Sequence, residues 1–269
     1  MTGPPASRPS GSKGSGASGE PSDPRFRAFR QLTFHSVLGG LCPLVPIPFL
    51  DDWLLGRVKR WMIADLGRGL TMDLDREARA ILAGGRDAWR LSGCGAGCVW
   101  AIQKVFFGLL IKLFRKVLYF LAIRDGLHAA TEVFHEGYLA SYALERADMP
   151  AQAGPQRNLA RHVRIAVLKT LDTMDLQPVR DVLRRTFRGS WGVLIAASRA
   201  LAGPFLRRKQ RRAAEAGDSE TEAQVRASEE ERLGGLVDRA AAALWGNREY
   251  FEGLEATFVR HLEGIDSDR

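Results

Sequence analysis

The chain has 269 residues, of which 45% are hydrophobic and 26% charged, so it is rich enough in apolar groups to bury a core. Its three cysteines, an odd number, exclude a disulfide-built scaffold and point to a reducing compartment. The net charge of +8 is unevenly spread, with +9 over residues 25–124, +1 over 125–188, +6 over 189–212 and −8 over 213–269, a pattern that calls for an anionic partner.

Residues 1–24 hold six Ser, five Gly and five Pro, with no large apolar residue except Met1. That composition predicts a disordered tail, and the lack of an apolar h-region predicts no secretory signal. From residue 25 onward helical periodicity dominates, and no alternating run bounded by hairpin signals occurs. The predicted fold class is all-α: a multi-helix bundle with a long amphipathic central helix and a C-terminal helical hairpin. Its divisions are a helical body over 25–206, a basic-to-acidic linker over 207–224, whose part 213–224 reads as polar linker or marginal helix, and an acidic hairpin over 225–265.

Pro43, Pro46 and Pro48 interrupt the first helical stretch, and Leu50-Asp51-Asp52 restarts one with its acids at the positive end of the helix dipole. His35, beside Phe34 and Val37, reads as a core histidine. Gly93, Gly95 and Gly97 precede a helix, but no strand leads into them and no Gly-Lys-Ser/Thr follows, so they read as a hinge and not a phosphate cradle. Cys94 and Cys98 lack the ligands of a zinc site and read as small packing residues.

Residues 98–123 are apolar apart from Gln103, Lys104, Lys112, Arg115 and Lys116. Wound at about 100° per residue, the four cations occupy a sector of about 120°. Trp100, Phe106, Phe107, Leu110, Phe114 and Leu121 stand on the wide apolar remainder. This suits a helix lying at a lipid surface, or a bundle helix with one wet edge. Crossing a bilayer is disfavoured. Four central cations cost about 2.5–3.5 kcal/mol each, against about 0.3–0.6 kcal/mol returned per large apolar residue.

Asp125, His128, Glu132, His135 and Glu136 share one face of the continuing helix. Glu132-x-x-His135 has the spacing of carboxylate-bridged metal helices, which makes His128, Glu132 and His135 a candidate metal set. No second E-x-x-H exists to complete such a site, and no cofactor is predicted. Leu127, Val133, Phe134, Tyr138 and Tyr142 lie opposite, so the polar face is expected to meet water. No Ser/His/Asp or Cys/His set assembles from local spacing.

Further on, Leu159, Val163, Ala166, Val167, Thr170, Leu171 and Met174 form a stripe, with Arg157, Arg161 and Arg164 opposite. Pro178 opens a helix carrying Val179, Val182, Leu183, Phe187, Trp191 and Leu194, and Gly203-Pro204 is expected to end it. Arg207, Arg208, Lys209, Arg211 and Arg212 follow directly. An apolar helix ending in five cations suits an anionic lipid surface, at about 1 kcal/mol per cation. The competing reading is a solvated helix end meeting the acids beyond Ala214. In the hairpin, the stripes Leu233–Trp245 and Phe251–Ile265 flank a Gly246-Asn247 turn. If left uncovered, they would drive homo-oligomerisation.

Two stretches carry a resemblance. LVPIPFLDDWLLGRVKRWMI (44–63) resembles the proline-broken turn and amphipathic helix of several uncharacterised bacterial membrane-associated families. LFRKVLYFLAIRDGLHAATEVFHEGYLASYALERA (113–147) looks like the core block of bacterial hypothetical proteins with no assigned activity. The resemblance implies a bacterial origin and supplies no catalytic residues. The reading favoured by the sequence is a non-enzymatic peripheral membrane-associated or scaffold protein. It would lie in the cytoplasm, at the inner face of the membrane. Its sites would be Lys104, Lys112, Arg115, Lys116, Arg207, Arg208, Lys209, Arg211 and Arg212, on an anionic lipid surface or an acidic protein partner. A helical metalloenzyme using His128, Glu132 and His135 is the alternative. A nucleic-acid binder is third, since no recognised nucleic-acid-binding motif is present.

Overall fold

The computed structural model describes residues 23–45, 50–84, 96–146, 152–210 and 219–267. For residues 24, 50, 96–120, 153, 201–210, 219–230 and 265–267 it describes the backbone alone. The described residues form nine α-helices and no strand: α1 (Pro24–Leu41), α2 (Leu50–Gly69), α3 (Arg76–Leu82), α4 (Ala96–Arg146), α5 (Ala153–Thr173), α6 (Gln177–Arg188), α7 (Trp191–Gln210), α8 (Ser219–Trp245) and α9 (Arg248–Ser267). A 3-10 turn, Cys42–Leu44, ends α1. The all-α expectation holds. The expected N-terminal tail falls almost wholly outside the described residues.

Local chemistry explains several helix ends. Asp23 caps α1 by accepting from the Arg25 N–H at 2.8 Å, with Pro24 in the first turn, where its missing N–H costs nothing. Asp75 caps α3 by accepting from the N–H groups of Glu77 and Ala78. Asp51 and Asp52 do stand in the first turn of α2, and Pro178 in that of α6. Trp245 ends α8 and Arg248 begins α9, so Gly246-Asn247 is the expected turn.

The centre of the bundle is the second half of α4. The helix is 51 residues long, about 77 Å at 1.5 Å per residue. Against it α1 runs antiparallel: Gly40 lies at Gly126, and Leu32 at Gly137. The two backbones nearly touch. A Cβ on Gly126 would stand 2.5 Å from the Gly40 carbonyl oxygen, and one on Gly40 2.9 Å from the Gly126 oxygen. One turn along, the Ser36 hydroxyl donates to the Ala130 carbonyl at 2.7 Å. Because the obstacle is backbone, it cannot swing aside. Gly126→Ala is therefore expected to destabilise by about 1–3 kcal/mol in urea unfolding, in spite of alanine's better helix propensity. Gly56→Ala on α2, where a Cβ meets nothing within 4 Å, is expected to be neutral or stabilising.

The C-terminal hairpin shares one continuous apolar core with the body, running from Phe29 through Phe134 and Val163 to Leu236 and Phe258. Phe29 is its junction, with ring centroids 5.4 Å from Phe134, 5.2 Å from Trp245 and 5.6 Å from Phe251. Leu236, Val237, Ala240, Ala241 and Leu244 are buried on α8, and Phe251, Leu254 and Phe258 on α9.

Two expectations about helix boundaries do not hold. Residues 178–206 do not make one helix: α6 stops at Arg188, Gly189 and Ser190 intervene, and α7 begins afresh at Trp191. Gly203-Pro204 does not end that helix, because α7 continues to Gln210. A proline removes one backbone hydrogen bond and can bend a helix without stopping it. Of the two readings of residues 213–224, polar linker or marginal helix, the helix holds from Ser219, where α8 begins.

Candidate functional site

The helix bearing the candidate metal set presents its polar face to water only at Asp125 and His128, with Glu132 half-buried. Glu136 is 3% exposed and His135 fully buried, while His128 alone of the candidate metal set is exposed. The reason is tertiary: α2 and α5 pack across the face that the periodicity leaves polar. From α2 the Lys59 ammonium reaches Glu132 at 2.7 Å and Glu136 at 2.9 Å. From α5 the Arg164 guanidinium reaches the other oxygen of Glu136 at 2.9 Å. Two cations and two carboxylates thus form a neutral, largely buried quartet joining three helices. Burial pushes the Glu132 carboxyl up, but the charge and hydrogen bond of Lys59 outweigh it and hold the group below its ordinary value. The Arg164 guanidinium also lies over Gly84, whose φ of +71°, just past the last turn of α3, would strain any residue with a side chain.

His135 is engaged on both ring nitrogens. Nδ1 lies 2.7 Å from the Thr131 carbonyl, which can only accept, so Nδ1 carries the proton. Nε2 then accepts from the Tyr250 hydroxyl of α9 at 2.7 Å. Burial depresses the imidazole to a pKa of about 4, leaving it neutral. Burial likewise raises the Tyr250 phenol, so the hydroxyl keeps its proton. Glu132 sits on Lys59 and His135 on Tyr250, and among the described residues no group of three or more His, Cys, Asp and Glu is placed to hold a metal ion.

His35 is a core histidine, as expected. Its Nδ1 lies 2.9 Å from the Gln31 carbonyl, and its Nε2 3.2 Å from the Asp65 carboxylate on α2. The arginines of α5 do not simply line a wet face either. Arg157 pairs with Asp75 at 3.1 Å and Glu77 at 3.0 Å, tying α5 to the start of α3.

The cations predicted to meet an anionic surface fall differently. Lys104, Lys112, Arg115 and Lys116 lie in α4, and Arg207, Arg208 and Lys209 in α7, in stretches whose side chains are outside the described residues; Arg211 and Arg212 are outside them altogether. What the structure does place is where both stretches join the body. Ile123 and Leu127, just past the basic half of α4, line one apolar seam with Leu44 of the 3-10 turn and with Trp191 and Leu194 at the start of α7. Beside that seam Leu121 is 40% exposed, and Arg124 and Arg188 are exposed. Two basic-apolar stretches distant in sequence therefore root side by side at one end of the bundle. At the other end stand Phe26 and Trp245, 5.6 Å apart.

Lys59 and Tyr250 do not stand out at the level of sequence. Lys59 carries a faint signal: it interrupts the buried face made by Val58, Met62, Ile63 and Leu66, where a lone cation requires a buried acid. Tyr250 carries none, since its partner is 115 residues away. Among the described residues, no helix is long and apolar enough to cross a membrane. No protein-family model, no curated protein and no solved structure matches this chain.

Proposed function

We propose that this protein is a non-enzymatic peripheral protein that attaches to anionic lipid at the inner, cytoplasmic face of a membrane through its two basic-apolar stretches. The observation that supports the reading is their common root at the seam of Ile123, Leu127, Trp191 and Leu194. Stable peripheral attachment needs two signals acting together, and two that leave the body at one end can meet one surface at once. The aliphatic and aromatic residues of 98–123 enter the acyl boundary while Lys104, Lys112, Arg115 and Lys116 snorkel to headgroups. Arg207, Arg208, Lys209, Arg211 and Arg212 add the electrostatic part. The buried Lys59 and Glu136 are matched by partners of opposite charge, which suits a scaffold that holds the two stretches in register.

Co-sedimentation with vesicles tests this. The protein is expected to pellet with phosphatidylserine-containing vesicles, to release as salt is raised, and to ignore phosphatidylcholine alone, because exposed charges are screened beyond about 8 Å at physiological ionic strength. Replacing the five cations of 207–212 with Gln is expected to weaken binding and leave the unfolding midpoint of the bundle unchanged. Retention by neither vesicle would overturn the proposal. Salt-sensitive binding to duplex or single-stranded nucleic acid instead would move the reading there.

A further inference from the structure

We infer that the exposed tryptophan–arginine face of α2 is a third contact with the anionic lipid surface, laid against the headgroups beside the two basic-apolar stretches. The inference rests on the attachment reading above and adds a surface of the folded body to it.

At about 100° per residue, Trp53, Arg57, Arg60, Trp61, Ala64 and Arg68 fall within a sector of about 100° on α2. The fold leaves that sector open. Arg57, Arg60, Trp61 and Arg68 are exposed, Trp61 by 48%, while Val58, Met62, Ile63 and Leu66 on the other side are buried. The acids of α2 lie off the sector: Asp51 and Asp52 stand in the first turn, and Asp65 is turned in between His35 and Arg68. The Arg57 guanidinium stands 5.6 Å from the centre of the Trp53 ring, and the Arg60 Nε–H donates to the Gly56 carbonyl, one turn back, at 3.1 Å. Neither of these contacts is with an acid, so neither offsets the positive charge. From α1, Phe34 sets its ring 6.4 Å from Trp61, and the exposed Arg27 stands two turns from Phe34 on the same side.

An indole half exposed among cations calls for a partner that is anionic and also accepts an apolar ring. The headgroup layer of a membrane offers both, with phosphates for the guanidinium groups and an interfacial zone for the rings. Tryptophan and arginine serve at protein interfaces as well, and here position decides for lipid. Leu55 lies at Gly39, and the neighbouring Gly40 lines the seam where the two stretches root, so the Trp53 end of the face begins beside that root. Direction agrees with position. α2 runs antiparallel to α1, with Leu55 at Gly39 and Asp65 at His35, and α1 runs antiparallel to α4. α2 therefore runs parallel to α4, which is one uninterrupted helix. With the first half of α4 laid along a surface, the body meets that surface with a flank, and α2 supplies a flank of cations and indoles.

The experiment compares two charge-matched variants of the full chain on phosphatidylserine-containing vesicles. Arg57 and Arg60 are changed to Gln in one, and Arg248 and Arg260, exposed on α9, in the other. The first variant is expected to bind about tenfold more weakly than wild type, the equivalent of one to two lost headgroup contacts. The second is expected to lose far less, since it gives up the same charge but no contact. The wild type is also treated with the arginine reagent p-hydroxyphenylglyoxal, with and without vesicles, and the modified residues are read by mass spectrometry. Vesicles are expected to protect Arg57 and Arg60 and to leave Arg248 and Arg260 reactive. Equal losses in the two variants, or vesicle-bound protein whose Arg57 and Arg60 stay reactive, would overturn the α2 contact and leave the attachment reading standing. Protection of Arg57 and Arg60 by single-stranded DNA and not by vesicles would overturn the lipid assignment and pass the face to nucleic acid. Failure of the wild type to bind vesicles at all would overturn both readings.

Discussion

Replacing Glu136 with alanine is expected to cost on the order of 3–5 kcal/mol of unfolding free energy, more than either Gly126→Ala or the loss of Lys59. Glu136 is 3% exposed and is the only residue of the quartet that touches both cations, Lys59 and Arg164. Removing it leaves Lys59, 8% exposed, with Glu132 alone, and takes from Arg164 its buried partner. The loss is large because an uncompensated charge stays in a medium that solvates it poorly, not because the pairs are strong in themselves. Lys59→Met alone is expected to cost less, since Arg164 still faces Glu136. The double change Lys59→Met with Glu136→Ala is expected to cost clearly less than the two single changes added together. Urea unfolding of the wild type and these variants measures this directly. A loss below about 1 kcal/mol for Glu136→Ala would mean that water reaches the quartet and that it does not hold α2, α4 and α5 together.

Lowering the pH is expected to weaken the bundle through His135. Its folded pKa, about 4, lies below the ordinary 6.5. The unfolded chain therefore takes up this proton at a higher pH than the folded one does. The contribution of the neutral imidazole is full above the unfolded value and is lost as pH falls from 6.5 towards 4. A shift of this size corresponds to about 3 kcal/mol over the whole window. Burial is the main cause, and the Thr131 carbonyl opposes it only in part. His35, also lowered by burial, acts in the same direction. The measurement is the slope of unfolding free energy against pH for wild type and for His135→Leu. The variant is expected to start less stable, because the Tyr250 hydroxyl and a buried site lose their partner, and to show the flatter slope. Parallel slopes would show that His135 is not buried neutral in the folded protein.

The helices, their apolar faces and the turn at Gly246-Asn247 are legible in the sequence, because a helix writes its buried face at a spacing of three and four residues regardless of what covers it. Val163, Ala166, Val167 and Thr170 on α5, or Leu236, Ala240 and Leu244 on α8, are buried where that spacing puts them. The segregation of charge is equally plain, since it requires only counting. Periodicity does not say that the polar face of α4 is covered as well. The same spacing that sets His135 and Glu136 opposite Phe134 and Tyr138 reads as a wet face until α2 delivers Lys59, α5 delivers Arg164 and α9 delivers Tyr250. These partners lie between 28 and 115 residues away in the chain. A buried ion or imidazole is stable only through its partner, and a partner that distant leaves no local pattern. The break between α6 and α7 and the common root of the two basic stretches are decided the same way. Each depends on which surfaces pack, and packing exists only once the chain has closed on itself.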